Sequence, residues 1–502
     1  MADLGHWALA MAAVLASGAS LLVRDPRHRV IAMTIALVLA PALIAADNWD
    51  DERFRDLRSS PAAMIAVLAA GAALLALLTA LIRRRRELFP LLAIAALPFR
   101  IPVESGGDSA NLLLPLYAVI AAGVLAEWLS PSGGDPREGD AGRAVRVLPA
   151  LLAGFPVLYA AQGIYSGDFT TAGDNIGFFF VPFAVLASLL WRVEWTPRLL
   201  TIALGVVVVE AVLFALVGFG QYLTRELFWN PAITQANELH AYFRVNSLFW
   251  DPNIFGRYLA VTIVAISAAM LWERAPTRAA MWGGIGILLL AAMAATLSQS
   301  SLIALLAGLA VLAALRWSAL WTGLLCGAVL VAAITGLAIR GEFDASSEKS
   351  LNVQTSGRSE LVRGGLELAE ENPIAGRGSG SFEEEFSARF HTGEEAAAVV
   401  SHTEPVTVAA EQGAIGFLVY LAVLAVAVAA LASGIRPFTP GLRSGGGADR
   451  EGDGRVIAIA RVATLAALVA MIVHSLSYAA FFTDPITWTL LAIGAALARR
   501  HR

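Results

Sequence analysis

The sequence predicts an all-α integral membrane protein, a polytopic bundle of about 12–15 transmembrane helices with a large, partly helical exoplasmic loop. Hydrophobic residues make up 57% of the 502 residues and charged residues only 15%, whereas soluble proteins carry about 25% charged residues. Many apolar runs approach the roughly 20 residues that a helix needs to cross a bilayer. These runs are rich in Leu and Ala, and they lack the alternation over about 10 residues that is typical of transmembrane β-strands.

Hydropathy in windows of about 19 residues divides the chain into a series of candidate spans. They cover residues 6–23, 29–46, 61–82, 88–103, 110–129, 147–165, 175–191, 198–223, 253–272, 279–297, 300–316, 317–338, 404–433, 456–480 and 484–499. The short, proline-containing segment 88–103 and the crowded stretch 279–338 depart most from the expected pattern of one helix per crossing.

The arginines of the short loops predict the orientation of the chain, because positively charged segments resist translocation. One set of alternate loops holds nearly all the arginine clusters, so we expect that set to be cytoplasmic. The other set, which we expect on the exoplasmic face, consists of loops 47–60, 100–110, 165–175, 224–251 and 340–403. Loop 47–60 fits this division least well, since it contains three arginines of its own.

The charge and the cysteine content exclude several classes of partner. The net charge is -4 and the basic residues are dispersed among the loops, so we expect no nucleic-acid partner. Cys326 is the one cysteine, which excludes an intrachain disulfide and a cysteine-rich metal site. Lys349 is the one lysine, so nearly all positive charge comes from arginine, whose planar fork suits bidentate binding of phosphate.

The outer loop 340–403 is long, and its sequence predicts structure of its own. A partly amphipathic helix follows Ser356, a glycine-rich turn occupies 376–380, and a second amphipathic pattern runs over 382–390. The glycines either bring backbone N–H groups to an anion or form a tight turn between two helices. Three arginines of this loop are either phosphate ligands or solvated partners of nearby glutamates: Arg358, Arg363 and Arg377.

Six further positions place polar groups within or near the predicted spans. His402 precedes a span and is either a general base, since its unperturbed pKa is about 6.5, or a residue that caps the helix with Thr403. Arg244 lies among aromatic residues, and Arg257 lies about one turn inside the next helix. An arginine inside a span usually faces a polar cavity, although it can also extend to the interface. The same ambiguity applies to Glu210, Arg461 and His474.

Taken together, these motifs resemble the O-antigen ligase and O-antigen polymerase family of bacterial membrane glycosyltransferases. The resemblance covers roughly residues 200–435, and four elements match in order. They are residues 244–253 before a span, 296–301 between two spans, 356–358 with 373–380 in the outer loop, and 401–404 leading to 411–416. Family members commonly have an arginine within the serine-rich break at 298–301, and this chain has Ser-Gln-Ser-Ser there.

The resemblance implies an enzyme of the bacterial inner membrane that needs no metal or cofactor. It would transfer or polymerise a glycan from an undecaprenyl-diphosphate-linked donor onto an acceptor hydroxyl outside the cytoplasm. Arg244 and Arg358 would hold the diphosphate, and His402 would remove the proton from the hydroxyl. The other residues expected to contact substrate are Asn253, Arg257, Arg363, Arg377 and Glu404. Either Arg257 or Arg377 would replace the arginine that the serine-rich break lacks.

On this resemblance, the chain divides into three parts. Residues 1–199 form N-terminal transmembrane helices, 200–435 the ligase- or polymerase-like catalytic region with outer loops 224–252 and 340–403, and 436–502 a cytoplasmic linker with C-terminal helices. The acceptor is a glycan, a lipid or a protein, since all such members share these motifs. A transporter that flips a lipid-linked oligosaccharide is the main alternative, and it would need polar residues along a path through the bilayer. A scaffold protein, in which Arg358 and His402 are replaceable, is the third.

Overall fold

The structure is a computed structural model that describes residues 4–47, 60–105, 108–131, 142–228, 242–339, 358–390, 403–435 and 448–499. It is a bundle of α-helices. In chain order they are α1 Leu4–Leu22, α2 Pro26–Asp47, α3 Pro61–Arg84, α4 Leu88–Ala96, α5 Leu114–Leu129, α6 Arg143–Gln162, α7 Phe169–Asp174, α8 Val181–Leu190, α9 Pro197–Thr224, α10 Pro252–Leu271, α11 Pro276–Thr296, α12 Gln299–Arg316, α13 Ala319–Ile339, α14 Arg358–Glu371, α15 Phe382–Phe390, α16 Glu404–Ala432, α17 Ala448–Ser475 and α18 Pro485–Arg499.

The number of membrane-crossing helices agrees with the sequence prediction. Within the described residues, 11 helical segments are long and apolar enough to cross a membrane, and three shorter apolar helices join them. One of the 11 segments, Phe169–Leu190, joins α7 and α8 through a π-helical turn at Asn175–Phe180. The prediction of an all-α polytopic membrane protein is confirmed.

The predicted span at 88–103 does not form as one helix. Helix α4 has only 9 residues, because Pro98, two residues after its end, has no backbone N–H with which to continue the helical hydrogen bonds. Two short antiparallel strands follow, β1 Ile101–Ser105 and β2 Asp108–Leu112. The segment still links the two ends of the bundle, since Arg86 pairs with Glu127 at one end and Arg100 lies near Asp484 at the other.

Several helices begin with a capping residue followed by proline. Asp251 accepts a hydrogen bond from the N–H of Asn253, and Pro252 occupies the first helical position of α10, where a missing N–H costs nothing. Thr196 caps α9 in the same way, with its Oγ1 accepting from the N–H of Leu199 at 3.2 Å. These caps fix where each helix starts, and therefore which side chains lie at its first turn.

Small residues let three helices pack closely in the C-terminal half. A Cβ on Gly308 of α12 would lie 2.6 Å from Val264 of α10 and 3.2 Å from the carbonyl of Ala466 of α17. A Cβ on Gly256 of α10 would lie 2.6 Å from Oγ of Ser301. Close backbone approach through small residues is typical of membrane helix packing. We call the end at which α9, α11 and α17 finish, and α10, α12, α16 and α18 begin, the upper end.

The two helices predicted within loop 340–403 are α14 and α15. They pack on the start of α16 through a small apolar cluster that contains Leu368, Phe382, Phe386 and Ala410. The rings of Phe382 and Phe386 stack with centroids 5.7 Å apart. This part of the long loop is thus fixed to a membrane helix at the upper end.

Candidate functional site

Arg244 connects the starts and ends of two neighbouring helices. Its Nε donates a hydrogen bond to the carbonyl of Thr296 at 3.0 Å, at the end of α11. Its Nη2 donates to Oδ1 of Asn253 at 3.3 Å, in the first turn of α10. The half-buried guanidinium therefore lies at the upper end, where the motif at 244–253 meets the motif at 296–301.

The serine-rich break forms a buried polar cluster. Ser298 caps α12 by accepting from the N–H of Ser301, and its Oγ donates to Oδ1 of Asn253 at 2.8 Å. Oγ of Ser300 and Oγ of Ser301 each lie 3.4 Å from Nε2 of His474 in α17. Because Asn253 also binds Arg244, one amide oxygen connects the arginine to the serine-rich break.

Arg257 forms a buried ion pair with Asp484, at the start of the C-terminal helix. Their side chains are 2% and 3% exposed. Arg257 lies one helical turn after Asn253 and its guanidinium carbon is 5.6 Å from the ring centroid of Tyr478. Nε of Arg257 donates no hydrogen bond within the part of the chain that the structure describes. The side chain of Arg257 thus faces a carboxylate partner inside the bundle.

Arg100 brings a second positive charge to the same place. Burial lowers the pKa of its guanidinium, and the Asp484 carboxylate opposes that shift while Arg257 adds to it. The ring of Tyr478 lies close enough to interact with all three charges, and burial raises the pKa of its phenol. Arg100 and Arg257 thus both lie near the carboxylate of Asp484.

Glu404 is half-buried at the first turn of α16. Its carboxylate accepts a hydrogen bond from the N–H of Phe481 at 3.2 Å, in the connection between α17 and α18, and it also interacts electrostatically with Arg257. Thr403 precedes α16 without making a side-chain capping bond. Glu404 therefore joins the start of α16 to the segment that carries Asp484.

The glycine-rich turn, residues 376–380, is bound to α16 by its own backbone. The N–H groups of Arg377 and Gly378 donate to the carbonyls of Ala410 and Glu411, at 3.0 and 2.8 Å. These carbonyls are available because α16 is interrupted. The turn therefore uses its backbone donors in packing.

The interruption of α16 is at Gly413, whose φ of 60° and ψ of -162° are not helical. A Cβ on Gly376 would lie 2.3 Å from the carbonyl carbon of Glu411, and its own φ is 72°. The Glu411 carboxylate accepts from the N–H of Gly380 at 2.9 Å and from that of Phe382 at 3.3 Å. A buried carboxylate of the chain itself thus occupies the position that the sequence suggested for a bound anion.

The remaining arginines of the outer loop lie in an ion-pair network at the surface. Arg377 pairs with Glu371 and lies 3.9 Å from Glu385, and Arg363 lies 3.7 Å from Glu367. The side chain of Arg363 is 52% exposed. Both arginines have the carboxylate partners that the solvated alternative predicted.

Two central predictions fall where the structure gives no side chain. His402 lies outside the described residues, and Arg358 is described only as the first backbone position of α14. The roles of the predicted site residues therefore stay predictions. The structure brings Arg244, Asn253, Arg257 and Glu404 to the upper end, and it separates Arg363 and Arg377 from them.

The sequence reasoning missed three residues of this polar cluster: Arg100, Tyr478 and Asp484. Ser298 belongs to the serine-rich break that the sequence analysis named, although that analysis gave it no role. A charged residue next to an apolar span could have indicated Asp484 and Arg100. Of the polar groups left ambiguous, His474 joins the cluster, whereas Arg461 donates to the carbonyl of Ser433 at the opposite end. Glu210 accepts a hydrogen bond from the hydroxyl of Tyr258 at 2.9 Å, within the bundle.

Fold and site together define a polytopic membrane protein with a buried polar site, rich in arginine, at one end of its bundle. Residues 284–421 match the family model described as O-antigen ligase. This region of the chain, just over a quarter of its length, is therefore similar to O-antigen ligases, and the predicted resemblance is confirmed over these residues. Such a similarity supports transfer of glycans at a membrane. The match contains the serine-rich break, the glycine-rich turn and Glu404. A search of curated proteins finds no match.

Proposed function

We propose that this protein is a membrane glycosyltransferase that transfers or polymerises a glycan from an undecaprenyl-diphosphate-linked donor onto an acceptor hydroxyl. One observation carries the proposal. Arg244, which lies outside the matched region, binds Thr296 and shares Asn253 with Ser298, which both lie inside it. An arginine suited to a diphosphate is thereby held against the matched region at the upper end.

An apolar groove in the bundle supports the proposal that the donor carries a polyprenyl chain. It has a volume of about 630 Å³ and runs among α9, α10, α11, α17 and α18. Its lining includes Tyr258, the residue after Arg257, and Ile486, two residues after Asp484. A polyprenyl chain in this groove would have one end beside the cluster of charges, where its diphosphate would find guanidinium groups.

The chemistry that we propose needs a base and a stabilised leaving group. The acceptor oxygen attacks the anomeric carbon, His402 takes the proton of the hydroxyl, and the bond between that carbon and the diphosphate oxygen breaks. The diphosphate leaves with the bonding electrons, and Arg244 and Arg358 stabilise its charge. Arginine supplies the positive charge, so chelation of divalent ions should leave the rate unchanged.

Arg257 is the better candidate to replace the arginine that the serine-rich break lacks. It lies one turn from Asn253, whose amide oxygen accepts a hydrogen bond from Ser298, and it is buried near Arg100 and Asp484. Arg377, by contrast, pairs with Glu371 and Glu385 at the surface. Exchange of Arg257 from Asp484 to the incoming diphosphate would keep it paired in a buried site.

An assay in sealed vesicles separates a transferase from a flippase. Purified protein receives undecaprenyl-diphosphate glycan labelled in the sugar, together with an acceptor extract from the source membrane. We expect labelled glycan on the acceptor and free undecaprenyl diphosphate in equal amounts, and neither product with His402→Ala. Movement of intact donor across the bilayer without cleavage would support the transporter instead.

The proposed site faces away from the cytoplasm. The arginine distribution supports this orientation, since clusters such as 83–86 lie at the end opposite the site. A cysteine placed at Ser387 of α15, in a Cys326→Ser background, should react with an impermeant reagent in intact spheroplasts. A cysteine at Ser444 should not. Labelling at Ser444 alone would reverse the orientation.

A further inference from the structure

A second cavity lies at the upper end, between the ends of α9 and α11. Its volume is about 700 Å³, within the range of small-molecule sites. One side consists of aromatic rings, including Tyr222 and Tyr242, which are 43% and 53% exposed. The other side consists of alanines of α11, such as Ala291 and Ala295, whose small side chains leave the space open.

This aromatic cavity begins where the Arg244 site ends. Arg244 follows Phe243, which lines the cavity. The Nε of Arg244 donates a hydrogen bond to the carbonyl of Thr296. Thr296 in turn lies between Ala295 and Leu297, which both line the cavity. A group attached directly to a diphosphate at Arg244 would therefore lie within reach of the aromatic rings.

Arg225 adds directed hydrogen-bond donors to the rings. Its backbone is left-handed, with φ 61°, and its N–H donates to the carbonyl of Gln221 at 2.8 Å. Its guanidinium carbon lies 4.3 Å from the ring centroid of Tyr222 and 5.3 Å from that of Phe243. Contact with two rings holds the guanidinium in place by cation–π attraction, so its donors lie beside flat apolar surfaces.

Flat apolar faces beside fixed donors suit the chemistry of a pyranose. Such a ring has a face of C–H groups, which packs on an aromatic ring, and a rim of hydroxyls, which accept hydrogen bonds. We propose that the aromatic cavity binds the first sugar of the lipid-linked donor, the one bonded to the diphosphate. This inference rests on the proposed function, because it takes Arg244 as a ligand of the diphosphate.

Two probes that differ by one sugar test the inference. Binding to the purified protein in nanodiscs is measured for undecaprenyl diphosphate and for undecaprenyl diphosphate carrying one N-acetylglucosamine. The wild type should bind the sugar-bearing probe more tightly. The double variant Tyr222→Ala, Tyr242→Ala should bind the sugar-bearing probe roughly three- to tenfold more weakly. Its affinity for the bare lipid should be unchanged. Arg225→Gln should act in the same direction, and the two Tyr→Phe changes, which keep the rings, should retain the preference.

The control is Trp317→Ala, which removes an aromatic side chain that is 69% exposed at the lower end of α12; both affinities should stay unchanged. Equal loss of both probes in the tyrosine variant would assign the cavity to the lipid chain and overturn the inference. Equal affinity of the wild type for the two probes would overturn it as well. So would a tyrosine variant that yields less folded protein yet still prefers the sugar-bearing probe, because the two rings would then be part of an interfacial aromatic belt. Failure of the wild type to bind the bare lipid would instead refute the proposed function.

Discussion

Two regions have the composition of an anion site, yet the structure uses them differently. One is the glycine-rich turn, residues 376–380. The other, which we call the Arg244 region, consists of Arg100, Arg244, Asn253, Arg257 and Asp484. In the turn, N–H groups at 377, 378, 380 and 382 donate to α16, and the Glu411 carboxylate accepts two of them. In the Arg244 region, Arg100 and Arg257 both lie near the carboxylate of Asp484, and Nε of Arg257 donates no hydrogen bond within the described residues. Donors committed to the fold give rigidity, whereas the Nε of Arg257, which meets no acceptor among the described residues, is available to a ligand.

The largest expected effect concerns the base that would act beside the Arg244 region. A positioned base contributes about 10²- to 10⁴-fold to rate, so His402→Ala should abolish most transfer while the protein still folds and binds donor lipid. If the histidine only caps α16, its loss costs about 1 kcal/mol, and His402→Asn should transfer glycan at the wild-type rate. Single-turnover transfer from labelled donor across about pH 5–9 distinguishes the two, since an unperturbed imidazole titrates in that range.

A second prediction concerns the charge balance of the Arg244 region. Asp484→Ala should destabilise the protein by about 3–5 kcal/mol, because it leaves buried positive charge without a partner. Thermal unfolding in detergent measures this change. Arg257→Met combined with Asp484→Leu should recover only part of the stability, because Arg100 would still lack its carboxylate partner. Transfer should stay low because a proposed diphosphate ligand is gone. Full activity of the double variant would remove Arg257 from the site.

The third prediction compares one arginine from each region. Arg244→Ala should lower kcat/KM by about 10- to 150-fold, which corresponds to the 1.5–3 kcal/mol of a hydrogen bond to a charged group. Arg244→Lys should recover only part, because a point charge lacks the bidentate fork. Arg377→Ala is the matched control, and an exposed ion pair is worth about 0–1 kcal/mol. A larger loss with Arg377→Ala than with Arg244→Ala would reverse the comparison.

The smallest effect is expected in the glycine-rich turn. Glu411→Ala leaves the N–H groups of Gly380 and Phe382 buried without an acceptor, so stability should fall by about 1–3 kcal/mol. Glu411→Gln should recover part of it, since one oxygen still accepts. Glu370→Ala, at an exposed position of α14, should change stability by less than about 0.5 kcal/mol. Unchanged stability with lost donor binding would make the turn an anion site after all.

The sequence was sufficient to predict where the helices lie along the chain, and insufficient to predict which helices pack against each other. Apolar length placed nearly every span, because a helix in lipid must satisfy its own backbone. The exception at 88–103 followed from Pro98, whose effect on helix continuity a hydropathy window does not register.

The site could be predicted only in part for a related reason. Arg244 and Asn253 are close in sequence, so their contact was within reach of a motif. Asp484 meets Arg257 across more than two hundred residues, and no local pattern specifies that α10 packs beside the start of α18. The glycine-rich turn misled for the opposite reason, since its composition does not reveal that Glu411 is the anion it binds.

The hydrogen bond from Ser298 to Asn253 limits which segments can be exchanged between related proteins. A graft limited to residues 284–421 would bring a foreign serine-rich break against the resident α10 and C-terminal helices. Ser301 packs against the resident Gly256, where a Cβ on the glycine would lie 2.6 Å from the serine Oγ, and Asp484 would still pair with the resident Arg257. The transplantable unit is therefore discontinuous, comprising the matched region, the segment from Arg244 to Arg257, and the connection that carries Asp484.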